Sequence, residues 1–72
     1  MKLHTMSIYT FEATTLALLH AGVNKFLAGQ SVTSGETGTV AYAADESRGK
    51  EFIGADFRCF SGKYQLVIYY GR

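Results

Sequence analysis

Phe52-Ile53-Gly54-Ala55-Asp56-Phe57-Arg58-Cys59-Phe60-Ser61-Gly62-Lys63-Tyr64-Gln65-Leu66-Val67-Ile68-Tyr69-Tyr70 reads as two strands joined by the two-residue turn Ser61-Gly62. Pairing Phe60 with Lys63 and counting outward sets Ile53, Ala55, Phe57 and Cys59 against Tyr70, Ile68, Leu66 and Tyr64. Cross-strand partners share a face, so that face is almost wholly apolar. The other face collects Phe52, Gly54, Asp56, Arg58 and Phe60 beside Tyr69, Val67, Gln65 and Lys63. A slip of one residue would mix the two sets, so the pattern itself fixes the register.

Upstream, a helix is expected from Phe11 to Ala28. Thr10 is placed as its N-cap, Glu12 in the first turn, Lys25 in the last, and Gly29 in the left-handed C-cap position. Leu16, Leu19, Val23, Phe26 and Leu27 form its apolar stripe, with His20 at the margin. The back carries Thr14, Ala17, Leu18, Ala21, Gly22 and Lys25. Ala17, Leu18 and Ala21 make it smooth enough for a second interface, although alanine is also an ordinary helix former.

Before the helix, Leu3–Tyr9 reads as a short strand with His4, Met6 and Ile8 on one side, and Met6 is an alternative start. After it, Gln30–Gly38 is a polar loop with Gly35-Glu36 as a turn. Thr39–Ala44 alternates as a half-buried strand carrying Val40, Tyr42 and Ala44, and Asp45–Lys50 is a solvated connection. The expected fold is α+β: a single helix packed on a three- to four-stranded, mainly antiparallel sheet in the order β-α-(β)-β-β-β. The expected core is Met6, Ile8, Leu16, Leu19, Val23, Phe26, Leu27, Val40, Tyr42, Ile53, Phe57, Leu66 and Ile68.

Length and composition bound the rest. Seventy-two residues make one domain, 1–72, without repeats or linkers. A chain this short buries only about 60% of its unfolded surface and is stable by roughly 3–5 kcal/mol unless stapled. One cysteine closes no internal disulfide, and with two histidines it falls short of a four-ligand zinc set, so no metal or other cofactor is expected. A charge of +1 gives little reason to approach nucleic acid or an anionic membrane. No run nears the ~20 apolar residues of a membrane span. Thr15-Leu16-Ala17-Leu18-Leu19 is interrupted by Glu12 before and His20 and Asn24 after, unlike a secretory signal. The lone Cys suits a reducing, cytoplasmic setting.

No catalytic motif emerges. Gly29–Thr37 has the wrong glycine spacing for a phosphate loop and Glu36 where a lysine is needed. Gly35-Glu36-Thr37-Gly38 satisfies the GxxG pattern of KH domains, but an acid sits inside it and a strand follows. Cys59 points to the apolar face, where a thiol is shielded, and His20 reads as a partly buried structural side chain. We therefore expect no enzyme.

The better candidate is the outer hairpin face, where Phe52, Phe60 and Tyr69 interleave with Arg58 and Lys63. Aromatic and arginine side chains are enriched in protein–protein hot spots. The expected function is a non-enzymatic interaction protein: self-associating, or an accessory or inhibitory protein that occludes a protein partner. Chains of this size are common as stand-alone phage, plasmid and bacterial proteins, an analogy of size alone. The alternative is single-stranded nucleic-acid binding, with the same rings stacking on bases and the cations pairing phosphates.

Overall fold

The computed structural model describes residues 5–33 and 41–72. Its elements are β1 (Met6–Ala13), α1 (Leu16–Leu27), β2 (Glu51–Phe60) and β3 (Lys63–Gly71). The strands form one sheet in the order β1-β3-β2, antiparallel at both seams. The chain is thus an α+β domain of order β-α-β-β. The expected Thr39–Ala44 strand appears, within the described residues, as an isolated bridge between Val32 and Tyr42. Val40, His4 and the Gly35-Glu36 turn lie outside the described residues.

The helix is shorter than the apolar stripe implied. Its N-cap is Thr15, not Thr10: Thr15 is extended (φ −132°, ψ 152°), and its hydroxyl accepts a hydrogen bond from the Leu18 N–H. Residues Phe11–Ala13 instead finish β1, which puts Glu12 in a strand and leaves the first helical turn without an acid. The other end is as expected. Gly29 takes φ +79°, and the Gly29 and Gln30 amides donate to the Phe26 and Lys25 carbonyls at 3.1 and 2.9 Å, closing a Schellman cap. The positive φ is what favours glycine here; a Cβ would also sit 2.6 Å from the Asp45 carboxylate, which would have to swing aside.

Extending β1 to Ala13 decides which of its faces is buried. Tyr9, Phe11 and Ala13 point into the core and Met6, Ile8, Thr10 and Glu12 point away. The opposite choice would bury Glu12 without a partner. Met6 and Ile8, expected in the core, are consequently exposed. From α1 the core receives Leu19, Gly22, Val23 and Phe26, an i, i+3, i+4, i+7 set. Gly22 therefore belongs to the buried face and not to the back, whereas Leu16, Leu27 and His20 are exposed.

Aromatic rings dominate this core. Phe26 lies 4.7 Å from Tyr9 and 5.2 Å from Phe11, centroid to centroid, and Tyr42 closes the cluster at 5.3 Å from Phe11. Val32, Ile68 and Tyr70 complete it. Phe11 is wholly buried. Its truncation to alanine would cost about 3–5 kcal/mol, comparable to the entire expected stability.

Candidate interaction surface on the terminal hairpin

The hairpin turn has positive φ at both central residues, Ser61 at 46° and Gly62 at 73°. This is the type I′ geometry that matches the twist of paired strands. From Phe60↔Lys63 to Gly54↔Tyr69 the register is the one read from the sequence. A β-bulge then intervenes between Phe52 and Gly54, and Phe52 pairs with Tyr70. The extra residue, Ile53, switches the side on which Phe52 emerges.

That bulge corrects the expected site. Phe52 lies on the helix side of the sheet, its ring 5.9 Å from that of Tyr70. Arg58, Phe60, Lys63 and Tyr69 share the outer face. They do not form one cluster there. Tyr69 stands six residues from Lys63 along β3, roughly 20 Å at strand spacing. Between them, Asp56 accepts a hydrogen bond from the Tyr69 hydroxyl at 2.9 Å. This bond to the carboxylate raises the Tyr69 phenol above its ordinary pKa. Met6 and Ile8 of β1 add apolar surface to the same outer face.

The inner side of the hairpin has the stronger anomaly. Ala55, Phe57 and Cys59 occupy the expected apolar face, but no described helix or strand lies over them. The helix contacts β1 and β3 only, and no helix Cα comes within 8 Å of a β2 Cα. Phe57 is 53% and Phe52 58% exposed, Ile53 lies open at the bulge, and Cys59 is a free, exposed thiol. Phe57 and Ile53, expected in the core, and Cys59, expected to be shielded, are thus on the surface.

The reason is width. A helix is about 10 Å across, whereas strands repeat every 4.8 Å, so one helix roofs two strands and leaves the third bare. One helix against three strands was the signal in the sequence that could have moved Phe57 from the core to the site. Among the described residues Phe57 stacks on Tyr64 alone, at 6.3 Å and 15° between ring planes.

The two edges of the sheet are unlike each other. At β1 the Tyr42 hydroxyl accepts from the Thr10 N–H at 2.7 Å and donates to the Thr10 carbonyl at 3.1 Å. It takes both backbone groups that Thr10 would offer to an added strand. At β2 no described element covers the edge. The helix back presents Ala17, Leu18 and Ala21, all exposed.

Near the turn an open depression of about 340 Å³ is bordered by Thr14, Cys59, Phe60, Lys63 and Tyr64. Among the described residues no three His, Cys, Asp or Glu side chains gather as metal ligands, and no helix is long and apolar enough to cross a membrane. No protein-family model, no curated protein and no solved structure matches the chain.

Proposed function

We propose that the chain is a non-enzymatic protein-interaction module that either self-associates or sterically occludes a protein partner. The observation behind it is the bare β2 strand: ten residues with an open edge, Phe52 and Phe57 exposed on one face, and Arg58 and Phe60 on the other. Large half-exposed rings beside an unpaired strand are an unfavourable surface for an isolated domain and a favourable one for a contact. Arg58 and Lys63 orient the partner and Phe57 and Phe60 anchor it. A reducing, cytoplasmic setting belongs to the same proposal and is supported by the single unpaired thiol of Cys59. Nucleic-acid binding is the weaker reading. Glu12, Glu51 and Asp56 stand on the outer face among the cations, and Phe52 is not there to stack.

Affinity purification on the immobilised chain, with and without nuclease, tests the reading. A retained protein should survive nuclease treatment. It should be lost by about tenfold or more on Phe57→Ala or Phe60→Ala, each shifting Tm by only a few degrees because both rings are half exposed. Retention abolished by nuclease would favour nucleic acid instead. Unfolding by Phe60→Ala would return that ring to a structural role.

A further inference from the structure

We propose that β2 is the seam of a homodimer in which two copies pair antiparallel about a twofold axis at Phe57, joining two three-stranded sheets into one of six strands. This rests on the reading that a protein occupies the bare β2 strand, and it names a second copy of the chain as that protein.

The register follows from three features that do not depend on one another. The first is length. The regular part of β2 runs from Gly54, just past the bulge, to Phe60, just before the turn. Its midpoint is Phe57, so the longest antiparallel self-pairing without a bulge is centred there.

The second is backbone chemistry. In a hairpin closed by a type I′ turn, the flanking pair Phe60 and Lys63 exchange hydrogen bonds, and alternate residues follow suit. Gly54, Asp56, Arg58 and Phe60 therefore direct their N–H and C=O groups to β3. Ala55, Phe57 and Cys59 direct theirs to the free edge. About a twofold axis at Phe57, Phe57 exchanges bonds with Phe57 of the second copy, and Ala55 with Cys59 of the second copy.

The third is side-chain complementarity. In that register Asp56 of each copy lies directly opposite Arg58 of the other, in non-hydrogen-bonded pairs where side chains approach most closely. Among the described residues Arg58 makes no ion pair, and the Tyr69 bond to Asp56 uses only one carboxylate oxygen. On the same face Phe60 lies opposite Gly54 of the second copy. Among the described residues, its two chain neighbours aside, no atom lies within 4 Å of a Cβ built on Gly54, which leaves open the space that the partner's ring would roof. On the helix side the two Phe57 rings meet, covering apolar surface that α1 cannot reach. The β1 edge is the poorer alternative, because Tyr42 interrupts it by holding both Thr10 backbone groups.

Charge reversal tests the seam. By sedimentation equilibrium the native chain should have twice its 7.9 kDa mass. Asp56→Arg alone sets arginine against arginine, and Arg58→Asp alone sets aspartate against aspartate. Each should raise the dimer Kd by roughly tenfold or more while leaving the circular dichroism spectrum folded. Mixing the two monomeric variants should restore a 1:1 dimer, since every opposed pair then has opposite sign. The double variant Asp56→Arg/Arg58→Asp should dimerise alone.

A native dimer indifferent to both single changes, or variants that fail to associate when mixed, would overturn the proposal. A monomeric native chain that still retains another protein through Phe57 would overturn the dimer and leave the interaction reading standing. A monomer that retains nothing would remove both.

Discussion

Tyr42 does more than fill space. Its hydroxyl joins the Thr10 amide and carbonyl while its ring packs against Tyr9, Phe11 and Phe26. Burial, partly countered by the Thr10 bond, raises its phenol pKa above the ordinary 10.0. A phenol whose pKa is higher folded than unfolded stabilises the fold fully below the unfolded value, and that contribution is lost as pH rises through the folded one. Ionisation also removes the proton donated to Thr10. Urea unfolding should therefore show stability falling above about pH 10. Tyr42→Phe should cost about 1–3 kcal/mol at neutral pH, by stranding the Thr10 groups, and should narrow its gap to the native chain at alkaline pH. Tyr42 was legible in the sequence as a core residue of a half-buried strand. Its bond to Thr10, thirty-two residues away, was not, because no local pattern records where a hydroxyl ends up.

Among the elements, the hairpin was the most legible and β1 the least. Cross-strand counting from Ser61-Gly62 reproduces every pair as far as Gly54 because two strands must satisfy one pattern together. The bulge at Ile53 escaped it, since a single extra residue leaves no periodic trace in so short a strand. For β1, Phe11 and Ala13 suit a helix start as well as a strand end, and Thr10 and Thr15 are equally good caps. Choosing the earlier cap shortened the strand and inverted its faces, which placed Met6 and Ile8 in the core. The turn itself invites a test. Ser61 holds a non-glycine residue at φ 46° in a type I′ turn, where asparagine is better tolerated. Ser61→Asn should stabilise the fold by about 0.5–1 kcal/mol, read as a higher urea midpoint at unchanged slope.

At the scale of the whole molecule, the sequence left a small domain short of stabilisation, and the structure locates the shortage. One helix covers two strands, and among the described helix and strands the third meets only β3. Of the contact residues legible in the sequence, Arg58, Phe60, Lys63 and Tyr69 share one face, whereas Phe57 belongs to the surface because the helix does not extend over β2. If β2 is completed by another copy, folding and association are linked, and thermal stability depends on concentration. A hundredfold increase in protein should raise Tm by roughly 5–10 °C, judged from the size dependence of the unfolding entropy. A Tm independent of concentration would mean that the domain is complete alone.

If two copies do pair through β2, the phenol at the β1 edge bears on stoichiometry as well. A twofold seam consumes the β2 edge of both copies and leaves only the two β1 edges at the ends of a six-stranded sheet. Were those edges free, each dimer could recruit the next and the sheet would grow without limit. In the proposed dimer Tyr42 would interrupt each of those edges at Thr10, so that one side chain would stand between a closed particle and a fibre.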